Sequence, residues 1–125
     1  MANEYLIADQ TGSKLFVFDQ NGRHQRTINA LTGSEIYTFA YNLQGQLAAV
    51  ADVFGNLTTI ERDVDGKPIE IIAPGGQKTY LAVNGNGYLA SISCPYEIPI
   101  DLEYTNDNLL TIFTDHKGNV HRFSY

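Results

Sequence analysis

The chain has no tryptophan, one methionine, four prolines and a single cysteine among its 125 residues. With Cys94 alone, no intramolecular disulfide and no thiolate metal cluster is expected. Basic residues are scarce, eight against fourteen acidic ones, so the net charge is −6 and the pI near 4.8. That balance argues against nucleic acid, whose phosphates need a basic face, and against an anionic membrane surface. No apolar run is long enough to insert in a bilayer, and residues 1–5 turn polar at once, so no signal peptide is expected in this chain. No segment carries a helical apolar stripe between caps. The hydrophobic share of 43% and the charged share of 18% are still those of a folded chain, and the length suits one domain.

Glycine, in contrast, keeps time. Gly45, Gly66 and Gly87 stand 21 apart, with Asn108 on the next beat; Gly55 and Gly76 are also 21 apart, followed by Glu97 and Gly118. A fixed period of this size marks a repeat architecture in which each unit stacks on its neighbours. Between the glycines lie short runs rich in β-branched and aromatic residues, at 14–18, 35–41, 56–61, 68–72, 78–83 and 119–125. Their length and composition are those of strands.

The turns share a pattern. Asp9 with Gly12, Asp19 with Gly22, Asp52 with Gly55, Asp63 with Gly66 and Asp115 with Gly118 form Asp-x-x-Gly; Asn42 with Gly45 and Asn84 with Gly87 replace the Asp by Asn, and Gly76 closes Ala73-Pro-Gly-Gly. An Asp or Asn at the first turn position accepts a backbone N–H two residues on, and Gly at the fourth supplies the left-handed conformation that re-enters a strand through a bulge. These fifteen residues are expected to be structural. Connections this short exclude parallel crossovers, so the fold class is all-β, an antiparallel meander of hairpins forming an open curved or spiral sheet. Residues 1–125 are expected to form a single repeat domain of five to six hairpin units, clearest over 35–125. A partial β-propeller is the alternative, although only three four-stranded blades would fit, below the ~4 that close a ring.

Strand patterning is irregular. Leu47 and Val50, Leu89 and Ile92, and Leu109 and Ile112 are each three apart, an offset that a regular strand places on opposite faces. Either a bulge in each strand or a sheet covered on both faces accounts for it.

The stretch Asn42-Leu-Gln-Gly-Gln-Leu-Ala-Ala-Val-Ala-Asp-Val-Phe-Gly-Asn-Leu-Thr-Thr-Ile-Glu-Arg-Asp63 resembles the RHS or YD repeat, which reads Tyr-Asp-x-x-Gly-x-Leu-x-x-Val-x-Asp-x-x-Gly-Asn. The resemblance covers residues 35–125, with 5–34 similar in style. Tyr-Asp appears as Tyr41-Asn42, Arg62-Asp63 and Tyr104-Thr105, and the stretch 94–99 has lost its Asp-x-x-Gly turn. The resemblance implies a section of a hollow shell wound from β-hairpins. In bacterial RHS toxins such a shell encloses a cytotoxic C-terminal segment; a teneurin-like shell stands outside the cell. It further implies a secreted or cell-surface parent, with neighbouring repeats or an enclosed C-terminal toxin as partners. The self-cleaving core segment of the family has no counterpart here.

Catalytic readings fare poorly. Fourteen acids leave room for a glycosidase pair, but most of the Asp residues are explained by turns. Asp63-Val-Asp65-Gly66 has the opening of a calcium loop without the rest of the ligand series. His24, His116 and His121 lack metal-site spacing, no Gly-x-Ser-x-Gly elbow occurs, and Gly75-Gly76 precedes a strand rather than a helix. No enzyme, cofactor or metal is therefore expected. Eight tyrosines, Tyr5, Tyr37, Tyr41, Tyr80, Tyr88, Tyr96, Tyr104 and Tyr125, support two readings, cross-strand packing or a carbohydrate- or protein-binding face. The leading expectation is a non-enzymatic wall section that self-associates through edge strands, and the stretch 94–99 is where something specific to this chain is expected.

Overall fold

The computed structural model describes residues 3–125. Twelve strands follow one another: β1 (Tyr5–Ala8), β2 (Lys14–Phe18), β3 (His24–Asn29), β4 (Glu35–Tyr41), β5 (Leu47–Asp52), β6 (Leu57–Arg62), β7 (Pro68–Ile72), β8 (Lys78–Val83), β9 (Leu89–Ser93), β10 (Ile100–Tyr104), β11 (Leu110–Thr114) and β12 (Val120–Arg122). The described residues include no helix, so none is long and apolar enough to cross a membrane. The hydrogen-bonded order is the chain order, β1 through β12 in one sheet, which displaces the bladed alternative. Four of the strands read from sequence fall where expected; β6 begins one residue later, and β12 is shorter than the run 119–125.

The chain divides into two compact units, Met1–Thr59 and Ile60–Tyr125, with the division inside β6. In the first unit, Leu6, Val17, Arg26, Thr38 and Ala51 are paired in succession and share a face. Val17 in this row is fully buried, and Arg26 closes a bidentate pair on Glu4 at 2.8 and 3.0 Å. The opposite face carries Ile7, Phe16, Thr27 and Tyr37. The His24 ring lies 5.0 Å from that of Phe18 and 4.1 Å from that of Phe39. Its Nε2 lies 3.1 Å from the Arg26 carbonyl. A carbonyl only accepts, so Nε2 carries the proton. The same nitrogen lies 3.1 Å from the hydroxyl of Thr27, which is 4% exposed.

In the second unit, Leu81, Ile92 and Ile100 form one paired row, and Leu102, Phe113 and His121 form another on the same face. The other face carries Glu70, Tyr80, Ser91, Ser93, Asp101 and Thr114, with Lys78 paired to Glu70 at 2.8 Å. An apolar and a polar face are thus separated by strand alternation. None of its described residues is fully buried, so the apolar face is only half covered.

The bulge reading of the irregular strands is the correct one. In β3, β5, β9 and β11 the register skips Gln25, Ala48, Ala90 and Thr111. Each is the third residue after Gly22, Gly45, Gly87 or Asn108. Two residues then oppose one, and the parity of the strand changes. Leu47 lies opposite Tyr41 and Val50 opposite Phe39, so the pair shares a face despite its offset of three. Leu89 and Ile92 do the same. In β11 the pair is Leu110 and Phe113, opposite Tyr104 and Leu102, not Leu109 and Ile112; Leu109 still belongs to the turn.

Candidate functional site

The corners repeat one geometry. In each, the N–H of the fourth residue donates to the carbonyl of the first, at 3.0 Å for Gly22, Gly45, Gly66 and Gly87. The first residue's Oδ1 then accepts two further N–H groups, two and four positions on. Asp19 accepts from Asn21 and Arg23, Asp52 from Phe54 and Asn56, and Asp63 from Asp65 and Lys67, all at 2.9 Å. Asn42 accepts from Gln44 and Gln46, and Asn84 from Asn86 and Tyr88. Asp115 accepts from Lys117 and Asn119. The turn at Asp9 is one residue wider, its carboxylate taking Lys14 N–H and the Thr11 and Ser13 hydroxyls. Glycines 12, 22, 45, 55, 66, 76, 87 and 118 all have φ between 72° and 88°. At Gly45 a Cβ would also stand 2.6 Å from Arg23 Nη2.

These bonds set the electrostatics. The Asn119 side-chain amide and backbone N–H hold the Asp115 carboxyl down to about 2. The Asn56 amide lowers Asp52 and the Arg23 N–H lowers Asp19 in the same way. No group of three or more His, Cys, Asp or Glu among the described residues is placed to hold a metal.

Three tyrosines perform a task that sequence reasoning missed. The Tyr41 hydroxyl donates to the His24 carbonyl at 2.6 Å, Tyr104 to Leu89 at 2.7 Å and Tyr125 to Leu110 at 2.7 Å. The acceptor is each time the second residue after Gly22, Gly87 or Asn108, just ahead of the bulge. The Tyr41 and Tyr104 hydroxyls thus latch a later strand, and that of Tyr125 the segment just past β12, to the start of an earlier strand. The Tyr41 ring also receives the Arg23 guanidinium at 4.9 Å, and Tyr104 lies 5.4 Å from Tyr88. Arg62 occupies the same phase and donates to the Gly66 carbonyl at 3.0 Å. The signal was available: Tyr41, Tyr104 and Tyr125 stand on multiples of the 21-residue beat.

Two corners lack that side-chain acceptor: 73–76, where Ala73 leads but Gly76 still carries φ 88°, and 94–97, which departs further. At 94–97 the first residue is Cys94, which has no carboxylate or amide, and the closing bond, Glu97 N–H to Cys94 carbonyl, is 3.2 Å long. Pro95 presets the second position, and the left-handed conformation falls on the third, where Tyr96 has φ 65°. That is the order of a type II turn, with a tyrosine in the glycine position. An L-residue there costs about 1–2 kcal/mol. Asn108 also has φ 65°, but asparagine tolerates it better. The Tyr96 ring is fully exposed and Ile98 is 65% exposed. Beside this turn lies a cleft of about 360 Å³, between it and the turn that holds His116. Ile92, Ile98 and Ile100 with Cys94 form its apolar part; Ser93, Glu97 and His116 form its polar part.

Against known proteins, the family model for the teneurin YD-shell matches residues 2–125. The chain belongs to the teneurin YD-shell family. Individual YD-shell relatives agree: it is 33% identical over 124 residues to mouse Teneurin-3 (Mus musculus), covering 98% of this chain and 5% of that protein. Human Teneurin-1 (Homo sapiens) is 34% identical over 117 residues, covering 93% of this chain and 4% of that protein. Teneurin-m of Drosophila melanogaster is 30% identical over 128 residues, with 99% and 5% covered. The chain therefore spans about one twentieth of the length of these YD-shell proteins. A solved structure of TcdB2-TccC3-TEV is similar at a TM-score of 0.47 and 13% identity, over 92% of this chain and 7% of that one.

Proposed function

We propose that this chain acts as a wall section of a YD shell, a non-enzymatic element whose parent is secreted or displayed at the cell surface and encloses or presents another segment. One observation carries the reading. The polar side chains that sequence patterns offer for chemistry are spent on backbone: corner Asp and Asn oxygens on N–H groups, and the three latch tyrosines on carbonyls. Groups already held in strong local bonds make poor acids, bases or nucleophiles. The single repeat domain read from sequence is part of this proposal. So is self-association: β1 and β12 each pair on one side only, and such edges pair with further strands, whether neighbouring repeats or a second copy.

The test is made in a longer polypeptide carrying this segment. Deleting one 21-residue unit should shorten the wall in phase, and deleting about half a unit should break it. Protease resistance of the segment that follows should survive the first deletion and be lost in the second; equal resistance in both would sink the wall reading. For the 125-residue chain alone, sedimentation should show concentration-dependent association, and a strictly monomeric species at high concentration would contradict the edge-pairing part. The carbohydrate-binding alternative rests on Tyr5, Tyr37 and Tyr80, whose rings are 40–59% exposed. A specific glycan-array signal lost on Tyr37→Ala or Tyr80→Ala would put it ahead.

A further inference from the structure

The corner at 94–97 and its cleft have properties that wall building does not require. The Asp and Asn corners satisfy their own N–H groups, whereas this one holds a tyrosine in a strained backbone conformation and exposes its whole ring. Strain of this kind persists where something besides stability maintains it. The cleft beside it, about 360 Å³ in volume, falls within the roughly 300–1,000 Å³ of ligand-sized sites. Its apolar part consists of three isoleucines and a cysteine, and one of them, Ile98, is left mostly in water.

Charge selects the occupant. Of the ionisable residues lining the cleft, Glu97 is the one carboxylate and no lysine or arginine is among them; Asp101 and Glu103 lie on the opposite, polar face and Asp107 in the turn at the far end of β10. Glu97 lines the cleft itself, and Lys117 does not. Asp115, one residue before His116, is held ionised by the Asn119 and Lys117 bonds. Nearby, Tyr96 offers an unobstructed aromatic face, the kind of surface on which a cation rests. An apolar slot, one carboxylate at its edge and a free aromatic ring together describe a receptor for an apolar side chain with a basic neighbour.

We propose that the 94–97 corner is a docking site for an extended basic–apolar segment of a partner protein, its aliphatic side chain seated between Ile92, Ile98 and Ile100 and its cationic neighbour held by Glu97 and the Tyr96 ring. This surface is independent of whether the chain builds a wall. Association is driven by the buried aliphatic group, and the charges set orientation and partner choice.

The probe is an acetylated, amidated peptide Ser-Lys-Leu-Lys-Ser, titrated into the 125-residue chain and followed by amide and methyl NMR shifts. Controls are Ser-Glu-Leu-Glu-Ser and Ser-Lys-Ser-Lys-Ser. The basic–apolar peptide should shift Ile92, Ile98, Ile100 and Glu97 in a saturable way, and both controls should bind at least tenfold more weakly. Ile98→Ser should weaken binding about tenfold, Tyr96→Gly about fivefold, and Glu97→Gln about threefold, with the last difference shrinking at high salt. Tyr96→Gly is the decisive variant, because it should raise the melting temperature while weakening the peptide. Equal binding of all three peptides, shifts away from the cleft, or a Tyr96→Gly variant that is more stable and binds as well as the wild type would each overturn the proposal.

Discussion

Turns 84–87 and 94–97 lie at opposite ends of β9 and close by different means. At 84–87 the Asn84 side chain accepts from Asn86 and Tyr88, Gly87 carries φ 88°, and the Tyr104 hydroxyl latches the Leu89 carbonyl just beyond. At 94–97 the backbone bond from Glu97 to Cys94 does the closing, and the positive φ falls on Tyr96. The first corner uses its polar groups internally and presents little to an outside molecule. The second forgoes that satisfaction, carries strain, and leaves an aromatic ring, a carboxylate and an isoleucine facing solvent. Within a repeat, the unit that departs from the pattern is therefore where recognition has room to evolve.

The largest effect is expected from breaking the regular corner. Gly87→Val forces a β-branched residue to φ 88° and should lower unfolding stability by about 2 kcal/mol in urea titration. Glu97→Val, at the matching fourth position without a positive φ, should cost no more than about 0.5 kcal/mol. Similar losses in the two variants would remove the distinction between the corners. Next, Tyr104→Phe deletes the latch to Leu89 and should cost about 1 kcal/mol, with heightened exchange of the amides around Ala90. Tyr96→Gly works in the opposite direction, relieving strain for a gain of roughly 0.5–1 kcal/mol net of added chain entropy; a loss would show that the ring contributes to the fold.

The smallest effect concerns acid. The Asp115 pKa of about 2 lies below the ordinary value of 3.8, so the folded state binds this proton less readily than the unfolded chain. Its contribution is complete above roughly pH 4 and is lost as the pH falls through about 2. Asp115→Asn keeps an acceptor oxygen, as Asn42 and Asn84 do, but does not titrate. Wild type and variant should therefore lose stability at different rates between pH 4 and 2; parallel denaturation midpoints would mean the carboxylate is not held as described.

The fold was largely legible because its corners are local. An Asp or Asn, two intervening residues and a Gly settle a turn without reference to anything distant, and seven such corners among eleven short connections leave a meander as the simple outcome. The bulges were harder. Their place depends on which residue a strand faces, so Leu109 and Leu110 cannot be distinguished until Tyr104 is seen opposite the latter. The latches were half visible: the tyrosine phase is in the sequence, but the acceptors are carbonyls of His24, Leu89 and Leu110, and a carbonyl leaves no mark on residue identity. At 94–97 the missing aspartate could be read, but the cleft could not, because it needs His116 from the next corner on that side of the sheet.

The position of each bulge, three residues past a corner, constrains how such a chain lengthens. A 21-residue unit beginning at Gly45 or Gly87 contains two strands and one bulge, so duplicating it returns the chain to the same direction, the same side and the same face parity, whereas the unit beginning at Gly22 has a second bulge at Ile36. Duplicating ten or eleven residues would reverse the strand and invert which side chains meet the apolar face. Growth by recombination is thus quantised: insertions in natural variants of this segment should come in whole units, and a fractional one should appear only where a corner has been rebuilt.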